Sequence, residues 1–105
     1  FIAGGGGAAY TASKHALAGF TRQLALDYAK DKIQIFGIAP GAVKTAMTAS
    51  DFEPGGLADW VAQETPIGRW SNPEEIADLT EFLASGKASS MQGEIIKIDG
   101  GWSLK

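Results

Sequence analysis

Tyr10 and Lys14 are the two residues whose types and spacing best suggest chemistry. They stand four positions apart at the start of a segment with helical periodicity, so they share one helix face within interacting distance. A tyrosine phenol is ordinarily too weak an acid for proton transfer at neutral pH, unless a neighbouring positive charge stabilises the phenolate. An ammonium beside the phenol would allow proton exchange with a carbonyl oxygen. Taken alone, the pair is a weak motif that a surface helix explains at least as well.

The segment 8–29 is predicted to be the helix that carries this pair. Apolar residues recur along it at helical spacing, and small residues fill its first half, so another backbone could approach closely there. These apolar residues form one stripe along the helix. The stripe comprises Ala12, Ala16, Leu17, Phe20, Leu24 and Tyr28.

Three short apolar segments are predicted to belong to strands. Residues 1–3 are typical of a strand end that runs into a glycine-rich loop. Residues 33–38 are typical of a strand that Pro40 and Gly41 terminate. Residues 94–98 are typical of a last strand. Because 33–38 is apolar on both faces, it fits a parallel sheet covered by helices. With helices between them, these strands form a βαβ arrangement and predict an α/β fold.

A polar segment and a second strong helix signal lie between the last two predicted strands. Residues 45–68 contain proline and glycine and one weak amphipathic stretch, 57–63, which favours a lid. The next helix is predicted to start at Asn72, which can cap it, with Pro73 in its first turn. Glu75, three residues after Asn72, completes a capping box. We expect that helix to end at Gly86. Its buried face is predicted to comprise Ile76, Leu79 and Leu83.

The composition excludes several classes of protein. The 105 residues are 45% hydrophobic and 20% charged, as in one small globular domain. A net charge of −3 with interspersed signs gives no basic patch for nucleic acid or a membrane surface. The absence of cysteine and the single histidine, His15, exclude disulfides and a zinc cluster. No apolar run has the length of a membrane span, and we expect a cytoplasmic protein.

The tyrosine–lysine pair belongs to a wider ordered pattern. The stretch YTASK (10–14) follows a glycine-rich strand exit, APGAVKT (39–45) ends the next strand, and DGGW (99–102) follows the last one. In this order and over the whole chain, the set resembles the classical short-chain dehydrogenase/reductase family. Within that family it is most similar to 3-oxoacyl-acyl-carrier-protein reductases.

The resemblance implies an NAD- or NADP-dependent oxidoreductase that interconverts a small-molecule ketone and a secondary alcohol. Tyr10 would be the catalytic acid and base, and Lys14 would bind the ribose next to the nicotinamide and assist Tyr10. The nicotinamide would be bound by a segment in which Val43 acts through its backbone and Thr45 through its hydroxyl. That cofactor segment comprises Pro40, Gly41, Val43 and Thr45, and Tyr10 and Lys14 complete the cofactor-binding residues that the resemblance implies.

The resemblance also implies roles for the lid and for the contacts between subunits, while the roles of His15, Trp70 and Trp102 follow from the residues themselves. Residues 46–68 match the variable substrate lid of the family, where Phe52 and Trp60 would contact substrate or, as we prefer, pack the lid. His15 would be solvated or at an interface. Segments 8–29 and 95–104 are where family members associate, which implies a homo-oligomer, a dimer or a tetramer. Trp70 and Trp102 would be packing anchors.

The sequence departs from the family pattern in two respects. Phe36 stands where members often have asparagine. The catalytic serine, roughly thirteen positions before the tyrosine, and the glycine-rich phosphate loop would both precede Phe1. Residues 1–105 would therefore be the C-terminal catalytic and lid portion of a doubly wound, parallel-sheet Rossmann-type domain, without its nucleotide-binding half. We expect this chain to be inactive alone.

Two other interpretations stay open. Sugar-nucleotide epimerases and dehydratases share the tyrosine–lysine pair, but they usually continue into a larger substrate domain beyond a position such as Gly101. A non-catalytic module that pairs subunits through the long helix and the last strand would need neither Tyr10 nor Lys14.

Overall fold

The computed structural model describes residues 6–104. The predicted strand end at 1–3 lies outside these residues. The helices and strands are α1 Gly7–Tyr28, β1 Gly37–Pro40, α2 Ala58–Glu64, α3 Pro73–Ala84 and β2 Ile95–Ile98, with 3₁₀ turns at Ala29–Asp31, Ala46–Phe52 and Trp102–Leu104. The chain divides into two compact units, of which the first contains residues 6–38 and 86–96 and the second contains 39–85 and 97–104. None of the described helices is long and apolar enough to cross a membrane.

The two described strands, β1 and β2, pair with each other in a parallel sheet. The Gly37 amide donates to the Glu94 carbonyl at 2.9 Å, and four residues later the Gly41 amide donates to the Ile98 carbonyl at 3.2 Å. Both partners advance by four residues in the same direction, which defines a parallel ladder. The prediction of parallel strands connected through helices is therefore confirmed.

The predicted strand at 33–38 is wrong in its bounds, because β1 begins only at Gly37. Ahead of it, the Gln92 side chain and a single backbone bond, from the Gly93 amide to the Ile35 carbonyl at 2.9 Å, take the place of a strand ladder. Gln92 donates to the Ala25 carbonyl at 2.7 Å and to the Ile33 carbonyl at 3.0 Å, and its amide oxygen accepts from the Ile35 amide at 3.2 Å. These bonds join the end of α1 to the segment before β1. An apolar pattern alone could not distinguish them from a strand ladder.

Helix α1 has nearly the predicted bounds, and most of its apolar stripe is exposed. The buried residues are Ala18 and Ala25, whereas Phe20 is 59% exposed and Leu17 is also exposed. Ala18 and Ala25 are two helical turns apart and share a face. The close backbone approach that small residues allow does occur, since a Cβ on Gly93 would stand 3.0 Å from the Ala25 Cβ. The small side chains pack inside this unit, and the large apolar ones face outward.

Helix α3 begins and ends as predicted. Asn72 and Glu75 form the capping box, with the Asn72 amide donating to the Glu75 carboxylate at 2.7 Å, and Pro73 is in the first turn. Leu83 is buried, and Ile76 and Leu79 are half-buried. Gly86 follows with φ of +81°, a left-handed conformation that suits glycine after a helix.

The predicted lid, 46–68, is more ordered than its composition suggested. It contains the 3₁₀ turn Ala46–Phe52 and helix α2. Trp70 fixes the start of α2 by donating from its indole to the Ala58 carbonyl at 3.0 Å. The Trp70 ring also packs 4.8 Å from the Phe52 ring, while Trp60 meets Trp102 edge-on at 6.3 Å. Aromatic pairs of this kind supply the packing that polar residues of the segment cannot.

Candidate active site

Tyr10 and Lys14 lie together in the first two turns of α1. The Lys14 Nζ stands 5.1 Å from the centroid of the Tyr10 ring, above its face. Tyr10 is 55% exposed, so its phenol is accessible to a ligand. The Ser13 hydroxyl donates to the Tyr10 carbonyl at 2.8 Å and so is occupied with the backbone of the same turn. His15 is exposed, as expected, with its Nδ1 2.9 Å from the Thr11 carbonyl.

The start of α1 is a region of positive potential. The free amides of the first turn give the helix a partial positive charge there, and no acidic residue stands in that turn to offset it. Lys14 adds a full positive charge one turn further on. The helix start and Lys14 thus both place positive charge close to Tyr10.

Gly41 lies where the second unit leaves no room for a side chain. A Cβ at this position would stand 2.8 Å from both the Cα and the Cβ of Asp99, which is closer than real Cβ atoms approach. The Gly41 amide also donates to the Ile98 carbonyl. Gly41 therefore does more than terminate the strand. The glycine is needed for the backbone to pass against the end of β2.

Val43 is held in place by Ser71, a residue that the sequence analysis missed. The two form an isolated parallel bridge, in which the Lys44 amide donates to the Ser71 carbonyl at 3.0 Å and the Ser71 amide donates to the Ala42 carbonyl at 2.9 Å. In such a bridge the neighbours of Val43 make the bonds, so the N–H and C=O of Val43 itself face the opposite edge. Ser71 is buried, yet no sequence signal distinguishes it from an ordinary helix-preceding serine.

Thr45 has a structural role besides the predicted one. It caps the 3₁₀ turn Ala46–Phe52, because its side chain accepts from the Thr48 amide while the Thr48 hydroxyl accepts from the Thr45 amide at 2.9 Å. The Thr48 hydroxyl also lies 3.0 Å from the Val43 carbonyl. The Thr45 hydroxyl acts as an acceptor in this cap, so its hydrogen can still be donated.

Three of the predicted cofactor residues line one open groove of about 700 Å³ in the second unit. Helix α3 forms its other side, and the lining is almost entirely apolar. The groove is lined by Pro40, Val43, Thr45, Pro73, Ile76, Ala77, Thr80 and Glu81. Gly41 is not among these residues, in keeping with its contact against Asp99. A flat apolar group with a polar edge would match such a surface.

Asp99 organises the glycine turn after β2. Its carboxylate accepts from the Ser103 hydroxyl at 2.6 Å, the Gly101 amide at 3.0 Å and the Ser103 amide at 3.1 Å. These bonds, that from the Ser103 hydroxyl most of all, hold the pKa of Asp99 below its usual range. Gly100 and Gly101 have φ of +63° and +88°. The turn itself was predictable as the end of the last strand, but the carboxylate that builds it was not.

Each predicted group of site residues is thus assembled within its own unit. Tyr10 and Lys14 lie in the first unit, whereas the cofactor segment, Pro40 to Thr45, lies in the second. Within the described residues, no group of three or more metal-binding side chains is placed to hold an ion.

Comparison with known proteins identifies the family. A family model described as enoyl-(acyl carrier protein) reductase matches residues 2–103, nearly the whole chain. A protein of the short-chain dehydrogenase family from Francisella tularensis has a solved structure that superposes on all of this chain with a TM-score of 0.88 and 37% identity. The chain belongs to the short-chain dehydrogenase/reductase family. It is therefore from an oxidoreductase family, as the resemblance of its sequence motifs implied.

Two curated relatives of the short-chain dehydrogenase/reductase family show how much of a member this chain represents. The 2-dehydro-3-deoxy-D-gluconate 5-dehydrogenase of Bacillus subtilis is 39% identical over 94 residues, which are 90% of this chain and 37% of the relative. A tropinone reductase homolog of Arabidopsis thaliana is 40% identical over 98 residues, 93% of this chain and 37% of the relative. The chain thus spans 37% of the length of these relatives.

Solved structures show the same partial coverage and settle the fold. A 4-hydroxyisoleucine dehydrogenase complexed with NADH superposes on 99% of this chain and 43% of its own, with a TM-score of 0.92 and 35% identity. A protein from Agrobacterium tumefaciens described as a 2-deoxy-D-gluconate 3-dehydrogenase, with bound NADP, covers 96% of this chain and 42% of its own, with a TM-score of 0.87 and 36% identity. The predicted α/β class is confirmed, and the chain corresponds to part of a Rossmann-type fold.

Proposed function

We propose that the protein containing this chain uses NAD or NADP to interconvert a ketone and a secondary alcohol. The observation that carries the proposal is the Tyr10–Lys14 pair, an exposed phenol with an ammonium 5.1 Å from its ring at a helix start that has no acidic residue in its first turn. Membership of an oxidoreductase family supports it. So do two related structures, one complexed with NADH and the other with bound NADP.

In this proposal Tyr10 moves the proton. When bound, the nicotinamide supplies or accepts the hydride. The Tyr10 hydroxyl donates its proton to the carbonyl oxygen during reduction and takes it back from the alcohol during oxidation. Lys14 and the amides at the start of α1 stabilise the phenolate that remains after the donation, because both present positive charge to it. Lys14 also has donors for the ribose hydroxyls of the nucleotide.

The cofactor segment fits a nicotinamide in the pattern of its polar groups. A carboxamide offers one donor and one acceptor, and the N–H and C=O of Val43 face one edge together, away from Ser71. The Thr45 hydroxyl, which accepts the Thr48 amide, has a hydrogen left to donate. Pro40 and Val43 supply apolar surface beside these groups in the groove. We propose that Pro40, Gly41, Val43 and Thr45 together bind this end of the cofactor.

Substitution of Tyr10 by phenylalanine tests the proton-transfer role. Tyr10→Phe in the gene product that contains this sequence, at its full length, is expected to lower kcat for ketone reduction by about 10²–10⁴-fold, the range typical of a lost general acid. Cofactor affinity should change little, since the ring remains. Turnover is followed by the absorbance of NADH or NADPH, and cofactor affinity by fluorescence titration.

Tyr28→Phe is the matched control, because Tyr28 is the other tyrosine of the chain and ends the same helix. It should keep full turnover. Turnover of Tyr10→Phe within twofold of the parent enzyme would exclude Tyr10 as the acid and would favour a module that pairs subunits.

A further inference from the structure

The Thr48 side chain contacts two of the residues that are proposed to bind the nicotinamide. Its hydroxyl accepts from the Thr45 amide at 2.9 Å and lies 3.0 Å from the Val43 carbonyl and 3.1 Å from the Thr45 carbonyl. Thr48 itself is half-buried. One hydroxyl thus joins three polar backbone groups of the cofactor segment.

The single hydrogen of this hydroxyl has two carbonyls within reach. The Thr45 carbonyl already accepts from the Thr48 amide at 3.1 Å. The Val43 carbonyl, by contrast, receives no backbone N–H from any residue in 6–104, because the neighbours of Val43 make the bonds of the bridge to Ser71. A carbonyl that lacks a donor gains more from a hydrogen bond than one that already has a donor. The hydrogen therefore belongs on the Val43 carbonyl.

This bond completes the fixation of the peptide group between Val43 and Lys44. At one end of the group the Lys44 amide donates to the Ser71 carbonyl at 3.0 Å, and at the other end the Val43 carbonyl accepts from Thr48 at 3.0 Å. Because a peptide group is planar, bonds at both ends fix its orientation. A carbonyl oxygen has two lone pairs, so the Val43 carbonyl can still accept one more hydrogen.

Thr48 contacts the Thr45 side chain by a separate route. The Thr48 amide donates to that side chain in the capping box of the 3₁₀ turn Ala46–Phe52. This bond needs only the backbone of residue 48, so it survives a change of the side chain. The effect of the Thr48 hydroxyl on the Val43 carbonyl can therefore be tested apart from the cap.

We infer that Thr48 is a positioning residue of the nicotinamide site, whose hydroxyl orients the Val43 carbonyl toward the NH₂ of the carboxamide. This inference rests on the proposed function and adds to it a residue that acts through Val43. The NH₂ is the part of the carboxamide that donates to a carbonyl. The contribution of Thr48 to cofactor affinity thus depends on that NH₂, and a nucleotide that lacks it gains nothing from the hydroxyl.

Thr48→Val in the full-length gene product tests the inference, since valine keeps the branched shape of threonine and loses the hydroxyl. The probes are NAD or NADP, whichever the parent binds, and its 3-acetylpyridine analogue, in which a methyl ketone replaces the carboxamide. We expect the Kd of the natural nucleotide to rise about three- to tenfold, the factor that one hydrogen bond supplies. The Kd of the analogue should change by less than about twofold, because the analogue has no NH₂. Isothermal titration calorimetry measures both.

Three further variants serve as controls. Thr48→Ser keeps the hydroxyl and should have the parent's Kd for both nucleotides. Thr48→Ala lacks the hydroxyl and should show the same contrast between the nucleotides as Thr48→Val. Thr21→Val removes a hydroxyl that donates to the Leu17 carbonyl at 2.8 Å within α1, and it should leave both Kd values unchanged. The Tm of each variant shows that the loss of a side-chain hydrogen bond alone does not alter cofactor affinity.

Three results would overturn the inference. An equal rise of Kd for both nucleotides in Thr48→Val would mean that the hydroxyl supports the fold and does not act on the carboxamide NH₂. An unchanged Kd for the natural nucleotide would mean that it does not position the Val43 carbonyl. A loss of affinity in Thr48→Ser as large as in Thr48→Val would exclude the hydroxyl as the cause.

Failure of the inference and failure of the proposed function give different results. A parent protein that binds both nucleotides and reduces a ketone, but shows no contrast between them in Thr48→Val, contradicts only the role of Thr48. A parent protein that binds neither NAD nor NADP contradicts the proposed function, and this inference with it.

Discussion

Asp99 shows how one carboxylate can determine the conformation of a chain segment. It accepts three hydrogen bonds from Gly101 and Ser103, and these bonds hold two consecutive glycines at positive φ. Gly41 also packs against the Cα of Asp99, so closely that a side chain at position 41 would not fit. A change at Asp99 therefore reaches the cofactor segment through backbone contact, although its side chain faces the glycine turn.

Asp99→Asn is expected to lower the free energy of unfolding by about 1–3 kcal/mol. The reason is that the side-chain NH₂ of asparagine would face backbone N–H groups that need an acceptor. The pKa of Asp99 is lowered by its bonds, so its contribution is present at neutral pH and is lost as the pH falls through the folded-state pKa. Urea unfolding at neutral and acidic pH measures both effects. Asp78→Asn, with the same change of charge on exposed α3, should cost less than about 0.5 kcal/mol. A pH-independent difference between Asp99→Asn and the parent would contradict this account.

At the scale of elements, the start of α3 joins the helix to the cofactor segment. Glu75 accepts from the Asn72 amide and from both terminal nitrogens of Arg69, so one side chain fixes the turn that enters the helix. Ser71, one residue before that cap, makes the bridge that orients Val43. The capping box thus holds the strand-like pairing at Val43 as well as the helix start.

Glu75→Gln tests this element by its pH dependence. The bonds from Arg69, with that from the Asn72 amide, lower the pKa of Glu75 to about 2. Because the folded-state pKa is the lower one, the stabilisation is present above the ordinary carboxyl range and is lost as the pH falls from about 5 towards 2. Parent and variant should differ by a few degrees in Tm at neutral pH and converge in acid. Glu74→Gln, in the same helical turn, should have the Tm of the parent. An equal drop of Tm in both variants would mean that the net charge of the turn, and not the bonds of Glu75, is responsible.

The same two elements show what the sequence could predict and what it could not. The start of α3 was predictable because Asn72, Pro73 and Glu75 act on their own backbone within one turn. The role of Gln92 was not, since its partners Ala25 and Ile33 are 67 and 59 residues away in sequence. Ser71 and Asp99 likewise act through distant backbone, and their residue types alone give no signal. Local chemistry was predictable from sequence, and the contacts that position the candidate site were not.

At the scale of the whole molecule, the outward face of α1 requires an explanation. The sequence correctly predicted a long helix at 8–29, but it could not tell which face is buried, because that depends on what the helix packs against. One side of α1 exposes the large apolar residues Leu17, Phe20 and Tyr28. Such a surface is typical of a contact with another part of the same protein or with a second chain. We propose that a second copy of the protein covers it, in a dimer or a tetramer.

Phe20→Glu tests that assembly, because Phe20 is 59% exposed and its replacement costs little inside the unit. A carboxylate buried between two copies would lack a partner. We therefore expect the Kd of the oligomer to rise at least about tenfold, the effect of an uncompensated charge at an interface. Sedimentation velocity over a range of concentrations measures the shift. Gln23→Glu adds the same charge to the same helix, at the cost of the hydrogen bond from Gln23 to Asp27, and should leave the mass unchanged. An oligomer of unaltered mass in Phe20→Glu, with its helical content intact, would mean that α1 is not the contact between subunits.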